Sequence, residues 1–329
     1  MAIDIHTHIV PANFPPYMGG NPKTGWPSIC SASCGHSHLM IHGKIFRTIS
    51  DTSWDVERRL VDMDRMGIDC QVLSPMPELL SYWFDTADAL AMCRVVNDAI
   101  GGMVELSRTR FAGLGMLPLQ DVDLAVRELE ALMRDGRFRG IEIGTNVNGV
   151  PIGDPRFEPF FAAAESLGAA VFVHALHPTG DERLIGPPIL KAFIGFPCET
   201  AFAIASLISS GLLSRHPDLR IAFSHGGGAF AMVLPRLQFG WKKMAAISDL
   251  SPEPPTTVAR RLYYDTLVYD IPTLKFLVSS FGETRLMVGT DYPFEIYEQN
   301  PLGAMEAAGF TDDVAQLLRK ENAIRYLSL

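Results

Sequence analysis

Residues 3–10 read Ile3-Asp4-Ile5-His6-Thr7-His8-Ile9-Val10, an apolar run that carries two histidines two positions apart. Side chains at i and i+2 of a strand share a face, so His6 and His8 can reach one metal ion together. Neutral imidazole suits zinc and similar divalent ions. The isoleucines and Val10 mark the strand as buried, and a buried imidazole needs a polar partner. Alone, His-x-His is a weak signal, since two polar residues on an edge strand read the same way. Its weight depends on what the rest of the chain sets beside it.

Working outward, residues 11–52 are rich in Pro, Gly, Ser, Cys and His and read as an insertion. Within it Met40 to Ile49 alternates as one or two short strands around Gly43, a small hairpin lid. Val56, Leu60, Met63 and Met66 then recur at helical spacing up to Gly67. Beyond them the pattern repeats. Strands are expected at 70–76, 111–119, 140–144, 169–175, 220–224, 262–268 and 285–289. Helices are expected at 86–106, 122–134, 157–167, 200–213, 229–244 (kinked at Pro235), 271–281 and 311–327. With the first strand there are eight, each separated from the next by a helix. Such alternation demands parallel strands, and eight is the number that closes into an α/β (β/α)8 TIM barrel. The expectation is one barrel domain over 1–329 with 11–52 inserted after strand one. An open doubly wound sheet is the rival, but no Gly-x-Gly-x-x-Gly turn follows the first strand.

Composition narrows the function. A hydrophobic fraction of 47% with 20% charged residues supports a large core and argues against disorder. The formal net charge of -9 and the absence of a basic run give no electrostatic case for nucleic acid, which leaves a small molecule as the expected partner. Cys30, Cys34, Cys70, Cys93 and Cys198 are odd in number and scattered, which argues against a disulfide framework and fits a reducing cytoplasm. The chain enters its first strand without a charged leader or signal-type core, and Ala201 to Leu213 is too short and serine-interrupted to cross a bilayer, so no membrane segment is expected.

A barrel places its chemistry at the C-terminal ends of its strands. There stand His174 after Ala169 to Val173, His225 after Arg220 to Ser224, and Asp291 after Leu286 to Thr290. Imidazoles plus a carboxylate suit a divalent catalytic ion with a position left for water or substrate. Five ionisable groups exceed what a tetrahedral ion needs. We assign His225 to proton transfer, the work for which histidine is the commonest side chain. Gly226-Gly227-Gly228 reads as close backbone turning beside the pocket rather than a phosphate cradle, since the P-loop Lys and Ser/Thr are absent. Arg47, in the lid-like segment, and Arg236, just past Pro235, are candidate anchors for a carboxylate, which a guanidinium matches in plane. Cys30, Cys34, His36 and His38 form a competing structural zinc motif without a familiar paired spacing. His216 reads as a helix cap, and His42 and His177 lie near enough to the mouth to meet a substrate.

At this point several blocks, in order, resemble the amidohydrolase-related decarboxylases of the metal-dependent hydrolase barrel type, most like the 2-amino-3-carboxymuconate 6-semialdehyde decarboxylase branch. They are Asp4 to His8, His42 to Arg47, Met116-Leu117-Pro118-Leu119-Gln120-Asp121, His225 to Gly228, and Gly289-Thr290-Asp291-Tyr292-Pro293-Phe294. The resemblance implies that His6, His8, His174 and Asp291 bind zinc, a site manganese can also occupy, with His225 as acid/base and Asp291 able to share in proton transfer. It implies substrate contacts from Arg47 and from Arg236, the latter across a homodimer interface, and its matching segments add Lys44 and Phe294. It departs after His174, where Ala175-Leu176-His177-Pro178 replaces a Pro-Trp, and near Pro187 and Pro188, where a tryptophan is missing. The activity implied is non-oxidative decarboxylation of an unsaturated or (hetero)aromatic acid in aromatic-compound catabolism. Hydrolysis or hydration by the same centre is the alternative, and a metal-stabilised binding protein the third reading.

Overall fold

The structure, a computed structural model, describes residues 1–21, 24–33 and 35–329. Thirteen strands occur among them: β1 (Ile3–Ile9), β2 (Ser28–Ser31), β3 (His36–Ile41), β4 (Lys44–Ser50), β5 (Cys70–Pro75), β6 (Phe111–Gly115), β7 (Phe138–Gly144), β8 (Asn146–Val147), β9 (Val150–Pro151), β10 (Ala170–His174), β11 (Ile221–Phe223), β12 (Tyr263–Asp265) and β13 (Leu286–Met287). Eight of them form one parallel sheet in the order β1-β5-β6-β7-β10-β11-β12-β13. The Ile5 N–H donates to the Val288 carbonyl at 2.9 Å and the Asp291 N–H to the His6 carbonyl at 2.9 Å, so the last strand returns to the first and the barrel closes. The expected fold is therefore observed, and the open-sheet rival is not.

The strands alternate inside and out. Ile3, Ile5, Val72, Leu114, Ala170, Phe172, Ala222 and Met287 fill the barrel interior, while Leu73, Val171, Val173, Ile221 and Phe223 join the layer between strands and helices. Both faces are buried, which is why the strands read as unbroken apolar runs. In β1 the register slips between Asp4 and Thr7. This bulge lets Ile3 and Ile5 fill the interior while His6 and His8, of opposite parity, also join the interior cluster of rings, the re-aiming that bulges perform beside active sites.

The crossover helices start and stop where the sequence signals it. Asp55, Asp121, Asp270 and Thr311 each accept a hydrogen bond from a backbone N–H in the first turn of their helices, and Gly67 and Gly168 end theirs in the left-handed region. The helix Thr86–Leu106 has its expected bounds, and Phe230–Lys243 runs unbroken through Pro235. The strands expected at 111–119, 220–224, 262–268 and 285–289 are shorter, because their last residues leave the sheet to enter the loops of the barrel mouth. A helix at Pro301–Ala308 was not expected. Helical structure from Lys191 to Ser209 spans 19 residues with mean hydropathy 1.5. It packs Ala203, Ile204 and Leu207 into the core and buries Glu199, which accepts from the Asn146 side chain and the Thr179 N–H, so it serves as a wall of the barrel.

The insertion is a three-stranded antiparallel sheet, β2-β3-β4. The expected hairpin around Gly43 is β3 and β4, and β2 is an additional edge strand that polar Ser28 and Ser31 disguise in the sequence. Tyr17 and Thr24 both donate to the Asp88 carboxylate at 2.7 Å, tying the insertion to the helix that follows β5. Of the competing zinc motif, Cys34 lies outside the described residues. Cys30 pairs across strands with His38, whose Nδ1 is 3.0 Å from Thr48 Oγ1. The described members make no converging set of metal donors.

Candidate active site

Five side chains from four strand ends converge at the mouth. His6 and His8 come from β1 and His174 from the last position of β10. His225 and Asp291 follow β11 and β13 on residues with φ of 54° and 66°, a left-handed conformation that turns each side chain inward. Donor atoms of His6, His174, His225 and Asp291 all lie within 4.8 Å of one another. His8 joins them, its Nε2 lying 3.1 Å from His6 Nε2 and 3.0 Å from Asp291 Oδ1.

The hydrogen bonds fix the tautomers. His8 Nδ1 lies 2.9 Å from the Pro75 carbonyl and His174 Nδ1 2.9 Å from the Ala175 carbonyl. A carbonyl only accepts, so both Nδ1 atoms carry the proton and both Nε2 atoms are bare lone pairs. His6 Nδ1 donates to Asp265 Oδ2 at 2.6 Å. Its Nε2 therefore faces the bare Nε2 of His8 and, at 3.3 Å, Asp291 Oδ1. His174 Nε2 is buried without any partner. Acceptors aimed at acceptors in a buried pocket are costly until a cation takes the space between them, and imidazoles oriented through their second nitrogen are the usual metal-ligand arrangement. On donor chemistry and on the orphaned His174 nitrogen, the residues fit a divalent ion.

The charges agree. Although burial opposes it, hydrogen bonds to Asp265 and Asp291 push His6 up to about 10, so the cluster draws positive charge onto itself. Burial, reinforced by the neighbouring imidazoles, pushes His174 well below its ordinary value and lowers His8. Burial disfavours the Asp291 charge, but hydrogen bonds with His225, His6 and His8 hold it well below the usual carboxylate range.

His225 sits at the open side, partly exposed, its Nε2 3.9 Å from Asp291 Oδ2 and its Nδ1 without a partner. Its own N–H donates to Asp265 Oδ2 at 2.8 Å and the Gly226 N–H to Asp265 Oδ1 at 2.7 Å. The glycine run has the steric role expected of it: Gly226, Gly227 and Gly228 all have positive φ, and a Cβ on Gly228 would stand 2.2 Å from the Pro197 carbonyl oxygen.

Of the substrate candidates, two meet at the mouth. Phe294 stacks on His8 with ring centroids 4.8 Å apart, and the Arg47 guanidinium lies 4.5 Å over the Phe294 ring. Lys44 is exposed on the hairpin, and Arg236 is exposed on the helix Phe230–Lys243. Within one chain, no hydrogen bond or ion pair among the described residues ties either to the cluster. His216 closes the short helix Leu212–Arg215 and bonds Glu165, as a cap does, and His177 stacks against Trp83 at 4.7 Å.

Sequence reasoning missed the carboxylates and the arginine that brace the cluster. Asp265 orients His6 and ties down the His225 loop. Asp4 accepts from the N–H groups of His6 and Thr290, and burial pushes it up to about 7. Glu142 accepts from Ser74 Oγ at 2.5 Å beneath His8, pushed up to about 8 by burial. Arg59, fully buried, donates to the His8 carbonyl at 2.6 Å and lies over the Tyr292 ring. For Asp4, Glu142 and Asp265 a signal existed, since each is a carboxylate in a run that is otherwise apolar, whereas Arg59 stands among the charged residues of a surface-patterned helix and carried none.

Fold and site together define a metal-dependent barrel enzyme, and comparison with known proteins gives its kin. Residues 3–329 match the amidohydrolase family, and the chain belongs to that family, on its decarboxylase side. It is 36% identical to the 2-amino-3-carboxymuconate-6-semialdehyde decarboxylase of Dictyostelium discoideum, over 100% of this chain and 92% of that protein. It superposes on the crystal structure of 5-carboxyvanillate decarboxylase from Sphingomonas paucimobilis with TM-score 0.76 and 28% identity, covering 83% of this chain and 82% of the other. A 5-carboxyvanillate decarboxylase from Novosphingobium aromaticivorans, complexed with manganese and a nitrobenzoic acid, gives TM-score 0.74 at 25% identity, over 85% and 82% of the two chains.

Proposed function

We propose that this chain is a divalent-metal-dependent, non-oxidative decarboxylase of an unsaturated or (hetero)aromatic carboxylic acid, acting in aromatic-compound catabolism. The observation that carries the metal is the convergence of the bare His8 and His174 Nε2 atoms, together with His6 Nε2, on Asp291. The decarboxylase chemistry rests on relatives that carry that name over nearly the whole chain. His6, His8, His174 and Asp291 hold the ion, zinc by the imidazole-rich donor set and manganese by likeness to the neighbour that binds it. When bound, such an ion would supply Lewis-acid chemistry, the electron sink that decarboxylation needs.

The rest falls to the side chains. Cleavage of the bond to CO2 leaves an electron pair on carbon, and His225, at the open side of the cluster, delivers the proton that takes it, with Asp291 able to relay. Phe294 offers a flat wall to a conjugated ring or diene, and Arg47 above it orients the acid. Arg236 serves the site of a second copy, with Lys44 as a further contact on the lid. Exposed Phe202, Met232, Val233 and Phe239 on the two packed helices around Arg236 support a homodimer there. Free Cys30, Cys70, Cys93 and Cys198 fit a cytoplasmic setting.

The same donor set also serves hydrolysis or hydration, and membership of the amidohydrolase family favours keeping that reading. Product analysis separates the two. Carbon dioxide release from carboxymuconate semialdehydes and hydroxylated benzoic and pyridine acids is expected to vanish on chelation and return with zinc or manganese. Silence across that panel from folded, metal-loaded protein, with hydrolysis of an ester or amide instead, would overturn the decarboxylase reading.

A further inference from the structure

Glu78 is a charged residue of the mouth to which neither the sequence motifs nor the proposed reaction gives a role. It stands in the turn Pro77–Leu79 that follows β5, on the same rim as the metal cluster. Its Oε1 accepts from the Arg47 guanidinium at 3.0 Å, and the remaining 18% exposure of its side chain leaves it largely enclosed. Its second oxygen is buried without a donor. Its charge is also felt at His177, which burial lowers first. Beside His177 the next ion pair, Lys191 with Asp181 at 3.2 Å, compensates itself in the same way.

Arg47 is therefore not a free cation. One face of its guanidinium rests on Phe294, one amino group is held by Glu78, and the pair together carries no net charge. A fixed charge acts on a ligand in proportion to the ligand's own charge. Arg47 alone would favour each additional carboxylate on a substrate, and Glu78 at hydrogen-bond distance cancels most of that preference. We infer that Glu78 is a specificity-determining residue that both positions Arg47 and holds down the preference of the site for acids with two carboxylates over acids with one. This rests on the proposed function for the identity of the site, but its test does not require turnover.

The test measures binding of benzoate and isophthalate, a mono-acid and a di-acid of one ring shape, to metal-loaded protein by calorimetry. Wild type is compared with Glu78→Gln, which keeps an acceptor for Arg47 and removes the charge, and with Glu78→Ala, which removes both. The Gln variant is expected to tighten isophthalate about tenfold or more relative to benzoate, with that gain shrinking as salt is raised. The Ala variant is expected to shift the ratio the same way while weakening both acids, because Arg47 loses its anchor. An unchanged or reversed ratio in the Gln variant overturns the inference, as does failure of both acids to bind any form. Tightening of isophthalate without CO2 release from any acid would leave the charge filter standing and remove the decarboxylase reading.

Discussion

Asp265 and His225 are joined by a hydrogen bond yet do different things, and single substitutions separate them. Asp265 holds the His6 imidazole by its protonated nitrogen and two backbone N–H groups of the next loop. An amide there turns donors against donors. Asp265→Asn is expected to weaken metal binding about 10- to 100-fold, read by competition with a chelator. His225→Ala should keep its metal and lose CO2 release by about 100-fold or more, the size of a missing proton donor. Loss of metal from that variant would make His225 a ligand, a role its distance to the other donors also permits.

At the scale of elements, the barrel wall leaves no room where β7 meets β10. A Cβ on Gly140 would lie 1.8 Å from the Ala170 carbonyl oxygen, and that oxygen belongs to the backbone of the paired strand. Only movement of a strand can relieve such a clash. Gly140→Ala is expected to cost about 3 kcal/mol or more, lowering the melting temperature by about 4 °C or more, while Gly136→Ala, with open space around it, should change stability by less than about 0.5 kcal/mol. Thermal denaturation of the two variants side by side checks this. The short last strands belong to the same scale. Their residues give up ladder hydrogen bonds so that His225 and Asp291 can take left-handed backbone and point into the mouth.

For the whole molecule, the placement of Arg236 makes an assembly prediction. In a two-fold dimer whose sites each use their own His225 and the other copy's Arg236, a hybrid of His225→Ala and Arg236→Ala chains holds one intact site and one doubly damaged site. Each variant alone should be nearly inactive. Mixing and reassembling equal amounts should restore about one quarter of wild-type CO2 release, since half the dimers are hybrids with one working site of two. Absence of recovery from demonstrated hybrid dimers would place Arg236 outside the neighbouring site.

The sequence by itself determined the closed barrel and most of the metal cluster. Eight apolar runs buried on both faces, separated by helical periods, admit few arrangements, and a barrel dictates that His6, His8, His174, His225 and Asp291 gather at one end. Arg47 was legible as a guanidinium in the segment that follows strand one, and Phe294 only through the likeness of its block to the decarboxylases. Tertiary structure alone decided what braces and tunes that cluster. Asp265 lies 259 residues from the His6 it orients, Arg59 crosses from a helix to the His8 carbonyl, and Glu78 meets Arg47 through a turn and the strand Lys44–Ser50. A periodic pattern records which face of an element is buried, whereas a hydrogen bond depends on where two unrelated stretches come within 3 Å. That distance is set only when the chain has closed upon itself.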